Sequence, residues 1–331
     1  MGMRDAQTKT MRDALIEQIY RRMHDDQRIF FLSADMGAPA LDKLREDFKD
    51  RFINVGIAEQ NLVNISTGLA LEGFIVYAYA IAAFLTMRAY EQIRTNLALL
   101  AQHKEINVNL IGVGAGTSYD MSGPSHHCLE DLTIIRALPN ILLFSPSDWL
   151  MVEKFFDFSL NVKKPKYIRL DAKPLPRIYS TGMKFEWEKG FYELKKGDNF
   201  CIISTGYMTH KALKVAAKLQ ASGKNVGVVD VFMLKLIDQN ALFDKVKHYK
   251  TVITLEEAYK NKGGLDSLVL NLIEGNNAQI KLKSFGFQDK YLFESGHREF
   301  LYQLSSFSDS DIVRMISRLE AELPQIKTTR K

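Results

Sequence analysis

Short apolar runs alternate with helical patterns along this chain, and that alternation restricts it to a narrow set of architectures. The runs in the first half are Arg28-Ile29-Phe30-Phe31-Leu32, Phe74 to Tyr77, Val108 to Val113, Ile141 to Phe144 and Tyr167 to Leu170. Such runs suit strands buried on both faces. Helical patterns separate most of them. The strongest is Thr86, Tyr90, Ile93, Leu97 and Leu100, spaced four, three, four, three. Strands alternating with helices predict parallel strand–helix–strand units and a sheet covered on both faces.

From Asp171 to Lys184 the periodicity breaks. Pro174, Pro176 and Thr181-Gly182 mark a connecting segment, and the linker is set at 173–186. Alternation then resumes. Strands are expected at Phe200 to Ser204, Val226 to Val231, Thr251 to Leu255 and Ile280 to Phe285, with helices from about Met208 to Gln220 and from Leu265 to Ile273. The expected fold is α/β, in two domains at 1–172 and 187–331, each a mostly parallel sheet covered by helices. A chain of 331 residues has room for both.

The 46% hydrophobic content suits ordinary globular cores, and the net charge of +5 is modest. Basic residues are scattered apart from short clusters such as Lys163-Lys164 and Arg330-Lys331, so no nucleic-acid stripe is expected. Cys128 and Cys201 fall in different expected domains without metal-ligand spacing, which suits a reducing cytoplasm. The start, Met1-Gly2-Met3-Arg4-Asp5-Ala6-Gln7, lacks the apolar core of a signal peptide and the Ser/Thr of a myristoylation motif. The apolar-rich run Gly73 to Met87 is shorter than the roughly 20 residues that span a bilayer. A cytoplasmic chain with no membrane partner is expected.

Chemistry enters at Phe52-Ile53-Asn54-Val55-Gly56-Ile57-Ala58-Glu59-Gln60-Asn61. A β-like run meets a glycine, and a carboxylate follows at the mouth of a helix whose apolar face is Ala58, Leu62, Ile65 and Leu69. By itself Glu59 reads equally as a first-turn acid favoured by the helix dipole. Downstream come Phe84 to Ile93, then Gly123-Pro124-Ser125-His126-His127-Cys128-Leu129-Glu130-Asp131, Leu138-Pro139-Asn140 and Ser145-Pro146-Ser147-Asp148. In this order the set resembles the pyrimidine-binding domain of the transketolase family of thiamine-diphosphate enzymes. Asp198 to Ile203, Gly227 to Lys235, Leu255 to Glu257 and Gly263-Gly264-Leu265 resemble that family's C-terminal domain. The likeness spans roughly residues 10–320.

The resemblance implies roles. Glu59 becomes the carboxyl that hydrogen-bonds the cofactor's pyrimidine nitrogen N1′ and promotes its imino form. Phe84 becomes the aromatic face that holds the pyrimidine; read alone it is an ordinary core residue. The second aromatic that family members often carry is here Ile81. Ile57 and Asp35 fall at cofactor-binding positions, although Asp35 alone reads as a loop or N-cap aspartate. His126 becomes the substrate-side histidine, and His127 a structural one. The family carboxylate that contacts the donor hydroxyl falls at Ser122, with Asp120 two residues away, and the phosphate-gripping histidine falls near Gly114. Arg169 matches a family arginine that grips an anionic substrate tail; a surface salt bridge is the plainer alternative.

No Gly-Asp-Gly occurs in the sequence. In the family that motif and a following asparagine hold the diphosphate and Mg²⁺ through oxygen ligands. Gly197-Asp198-Asn199 comes nearest but lacks the asparagine. No metal ligands are therefore expected here. A separate N-terminal subunit is implied, in an α2β2 heterotetramer acting on sugar phosphates. The rivals are a deoxyxylulose-5-phosphate-synthase-like enzyme, the beta subunit of a 2-oxo-acid dehydrogenase, and a specialised transketolase for an unusual polysaccharide sugar, given Ile81 and Ser122. The loop Ser122 to His126 favours the sugar enzymes over the dehydrogenases. An inactive regulatory subunit is a further alternative, opposed by Glu59, Phe84 and His126 occurring together.

Overall fold

The computed structural model describes residues 8–322. The amino-terminal Met1 to Gln7 and the basic pair Arg330-Lys331 lie outside them. In chain order, α1 (Met11–Asp25), β1 (Ile29–Ser33), α2 (Pro39–Asp47), β2 (Phe52–Asn54), α3 (Glu59–Leu71), β3 (Ile75–Ile81), α4 (Ala82–Arg88) and α5 (Tyr90–Gln92) lead to β4 (Asn107–Val113). Then come α6 (Asp131–Arg136), β5 (Leu142–Phe144), α7 (Trp149–Asn161) and β6 (Lys166–Leu170). The second half holds β7 (Phe191–Lys195), β8 (Phe200–Ser204), α8 (Met208–Ala221), β9 (Val226–Val231), β10 (Met233–Lys235) and α9 (Gln239–Val246). It ends with β11 (Thr251–Tyr259), α10 (Leu265–Gly275), β12 (Lys281–Phe287), α11 (Arg298–Leu304) and α12 (Asp309–Ala321).

The first sheet runs β10-β5-β6-β4-β3-β1-β2 and is parallel except where β10 meets β5. The second runs β12-β11-β8-β9-β7, with β7 antiparallel to β9. Both belong to the α/β class that the alternation predicts. The apolar runs became the central strands because helices cover both faces: β4 and β6 are buried throughout. Local signals set several helix starts. Asp148 accepts from the Met151 N–H to cap α7, and Ser308 with Asp311 forms a capping box on α12. Among the described residues no helix is long and apolar enough to cross a membrane.

Two features differ from the sequence reading. The stripe from Thr86 to Leu100 does not lie on one α-helix. α4 ends at Arg88, and α5 runs into a π-helical stretch, Ile93–Leu99, and a 3₁₀ turn, Leu100–Gln102. Thr86, Ile93 and Leu97 are nevertheless buried, because the wider π turn absorbs extra chain without turning the apolar face outward. The second difference is β10. It lies in the second half, yet it pairs with β5 of the first sheet, Met233 opposite Phe144. An uncovered β5 edge would leave unpaired backbone donors and acceptors, and β10 satisfies them. The two sheets are thereby joined by strand pairing as well as by the irregular segment between β6 and β7, in which Tyr179 is buried.

Candidate active site

From β1 the chain passes to β2 on one side of the sheet and later to β3 on the other. Such a reversal opens a crevice beyond the carboxyl ends of the strands, where open parallel sheets bind ligands. Asp35 follows β1. Ile57 and Glu59 follow β2, Phe84 follows β3 in the first turn of α4, and Ser122 and His126 follow β4. All share one edge because these strands are parallel.

Glu59 opens α3 and is 2% exposed. Arg88, at the end of α4, reaches back to it, with Nη1 2.5 Å from Oε2. The same guanidinium lies 5.0 Å from the Phe84 ring centroid. Phe84 in turn meets the His126 ring, centroid to centroid 5.1 Å at 65°. Tyr119 stands edge-on to His126 at 6.3 Å. His126 Nδ1 lies 3.0 Å from Ser125 Oγ. Acid, guanidinium, aromatic ring and imidazole thus form a continuous line along the crevice. Ala82, Ala83 and Cys128 support Phe84 from the core. Burial pushes the Cys128 thiol well up, so it packs as a neutral side chain.

Asp35 is exposed and takes a left-handed backbone, φ 50°, which aspartate adopts more readily than most residues. Asn54 fixes it. The Asn54 Oδ1 accepts from the N–H groups of Asp35 and Gly56, each at 3.0 Å, and its Nδ2 donates to Asp35 Oδ1 at 2.9 Å. Ile57 is 74% exposed in the turn between β2 and α3. Ser122 is exposed at the end of a 3₁₀ turn that begins at buried Asp120. Burial alone would raise the Asp120 pKa, but the Lys173 ammonium and the Arg298 and Met121 N–H groups hold it below the usual range. His127 is buried with Nε2 3.3 Å from the Asp120 carbonyl, which makes that nitrogen the donor. Burial lowers its pKa and favours the neutral ring.

Arg169 is not the surface salt bridge that the plainer reading expects. The residue is 3% exposed, its Nε donates to Asp131 Oδ2 at 2.8 Å, and its Nη2 donates to the Glu257 carbonyl at 2.9 Å. β6 is an interior strand, and this guanidinium bonds across to the second sheet at Glu257 and to the Cys128 carbonyl behind Phe84. Gly197-Asp198-Asn199 lies between β7 and β8, where Asp198 Oδ1 accepts from Asn225. Among the described residues no group of three or more His, Cys, Asp or Glu side chains is arranged to hold a metal ion.

Arg88, Asn54 and Tyr119 were not singled out by sequence reasoning. For Arg88 a signal existed: it lies four residues after Phe84 on the same helix, so the two share a face.

These elements define an α/β protein with an acid, an aromatic ring and an imidazole gathered at the carboxyl edge of a parallel sheet. Residues 7–176 match the family Transketolase, pyrimidine binding domain, and residues 191–312 match Transketolase, C-terminal domain. The chain belongs to the transketolase family, whose members are thiamine-diphosphate-dependent transferases. It is 36% identical over 213 residues to one subunit of the apulose-4-phosphate transketolase of Actinobacillus succinogenes, covering 64% of this chain and 67% of that one. It is 29% identical over 305 residues to a 6-deoxy-6-sulfo-D-fructose transketolase subunit of Clostridium sp. strain MSTE9, covering 92% of each. A solved split gene transketolase, described as an inactive beta4 tetramer, superposes with a TM-score of 0.81 at 30% identity, covering 94% of this chain and 98% of that one.

Proposed function

We propose that this chain is the C-terminal subunit of a two-chain transketolase that moves a two-carbon ketol unit between sugar phosphates. The observation that carries the reading is the line of Glu59, Phe84 and His126 at the carboxyl edge of the first sheet. Relatives of similar extent that are named as subunits support it.

The residues fit the pyrimidine side of thiamine diphosphate. Arg88 offers Glu59 a planar N–H donor lying against Phe84, and a pyrimidine ring that carries its proton on N1′, as the imino form does, can offer the same donor and the same face. When bound, the cofactor supplies the acidic carbon that takes up and releases the ketol unit. Glu59 holds the hydrogen bond at N1′, strengthened because the carboxyl is buried. Phe84 keeps the ring flat. Ile57 and Asp35 border it on the open side. His126 donates to a sugar oxygen and moves a proton there, as an imidazole can near neutral pH. Ser122 offers a hydroxyl where the family carries a carboxylate.

The diphosphate and Mg²⁺ fall to a partner chain that carries the Gly-Asp-Gly motif missing from this one. Two copies of each chain form the natural symmetric assembly. Exposed apolar side chains accompany the same segments, with Ile57 74%, Met87 43% and Met121 60% exposed, and a partner would cover them. Two relatives are named for an apulose phosphate and a sulfo-fructose. A sugar with an anionic end is the corresponding substrate class here.

Mixing the chain with its partner subunit, thiamine diphosphate and Mg²⁺ tests the reading. Ketol transfer from a phosphorylated ketose to a phosphorylated aldose should require both subunits. A pair that binds the cofactor and transfers no ketol from any phosphorylated ketose contradicts it.

A further inference from the structure

We infer that the second half of the chain sets the geometry of the substrate loop through Glu257 and Arg298, which act with Thr117 as positioning residues. The kinetic side of this inference rests on the proposed function; the structural side does not.

Glu257 lies on β11 of the second sheet and is 2% exposed. Its Oε1 accepts from Thr117 Oγ1 at 2.6 Å and from the Thr117 N–H at 3.2 Å. Tyr302 Oη, at 2.5 Å, and Arg298 Nε, at 3.0 Å, donate to the same oxygen. Arg298 Nη2 donates to Oε2, also at 3.0 Å. Burial alone would raise this carboxyl's pKa, but Arg298 and the hydroxyl donors hold it below the usual range.

Thr117 stands at the start of the loop that carries Ser122 and His126. Arg298, the first residue of α11, touches that loop a second time: its N–H donates to Asp120 Oδ2 at 3.0 Å. Its guanidinium is fixed by Asp171 Oδ2 at 2.5 Å and lies 3.9 Å from the Tyr207 ring centroid. The backbone is shaped for this contact. Gly116 has φ 57°, and a Cβ there would stand 2.5 Å from the Glu257 carboxylate.

The loop is therefore held at Thr117 and Asp120, and its return is held where Gly116 and Cys128 exchange backbone hydrogen bonds at 3.1 and 2.8 Å. Between these points Ser122 and Ser125 are exposed and His126 is half-buried. Groups that must meet a substrate need fixed geometry, and buried charge-assisted bonds fix it best. None of Thr117, Glu257 and Arg298 lies on the acid–aromatic–imidazole line itself, so they act through the loop.

The test uses Thr117→Val, which removes one donor and keeps the side chain's shape, and Arg298→Lys, which keeps the charge without the fork. Val269→Ala, on the buried face of α10, serves as a matched loss of stability elsewhere. Hydrogen exchange of the full chain and steady-state kinetics of the pair are read together. In Thr117→Val and Arg298→Lys, amides 117–127 should exchange about tenfold faster, and KM for the ketose should rise about tenfold. Thiamine diphosphate affinity should stay within about twofold, and Val269→Ala should change neither loop exchange nor KM. Unchanged loop exchange in both loop variants, or a change equal to that of Val269→Ala, overturns the inference. Faster loop exchange beside a wild-type pair that transfers no ketol keeps the positioning role and removes the proposed function.

Discussion

Arg88 and Glu59 form an ion pair at the mouth of the crevice, 2.5 Å between Nη1 and Oε2, with one partner half exposed and the other buried. The pair gives the carboxylate a partner that it would otherwise lack. A ligand that uses Glu59 must displace Arg88, whose exposure lets it swing outward. Arg88→Met should therefore tighten thiamine diphosphate binding to the assembled pair by about two- to fivefold, the effect of losing an ion pair worth about 0.5–1 kcal/mol. Calorimetry checks this. Weaker binding would place Arg88 in the bound site rather than in competition with it.

Glu59→Gln keeps the shape at the start of α3 but cannot supply the carboxyl. Turnover of the pair should fall by about a hundredfold or more. Stability should change by no more than about 1 kcal/mol, because Arg88 can turn to water. Near-normal turnover at saturating cofactor would rule out the role given to Glu59.

Arg169→Ala should act on folding. It leaves Asp131, which is fully buried, without its cation, and the loss should be about 3–5 kcal/mol in denaturant unfolding. A rise in KM confined to phosphorylated substrates, with stability unchanged, would restore the phosphate contact suggested by sequence.

Asp230 sets a pH dependence. It is fully buried and accepts from Ser147, Tyr179 and Thr209 at 2.6–2.8 Å. Burial pushes its pKa up to about 6. The unfolded chain holds that proton only to about pH 4, so the folded state binds more protons between these values. The stability this group contributes is present below about pH 4 and lost as pH rises through 6, by roughly 3 kcal/mol at most. Asp230→Asn should remove that slope. Urea midpoints at about pH 4.5 and 6.5 for both proteins give the difference, and an unchanged slope would refute the assignment.

The strands were legible because a buried parallel strand needs a nearly continuous apolar run: Phe200 to Ile203 is one, and Val226 to Val231 is one apart from Gly227 and Asp230. The place of Glu59 at the start of α3 was legible because a helix start just after a strand and a glycine is a local pattern. Arg88 was not, because a basic residue on a helix reads as solvated until its partner is known, and that partner is 29 residues earlier. The burial of Arg169 depends on Asp131, 38 residues earlier, and the hold on Thr117 depends on Glu257, 140 residues later. β10 was hidden for the same reason, since its three residues carry no sign of which sheet they join. The change to π-helix after α5 left the four-three spacing intact and so left no trace in the pattern.

On the proposed function this chain is half of a site, and a half-site holds its cofactor only when completed. Calorimetric titration of thiamine diphosphate with Mg²⁺ into the purified chain, and then into the chain with its partner carrying Gly-Asp-Gly, reads this most directly. The expected result is no saturable binding by the chain alone below about 1 mM and binding near about 1 μM by the pair, about 4 kcal/mol apart. Binding near about 1 μM by the chain alone would contradict the account, because this chain would then hold the diphosphate and metal without a partner.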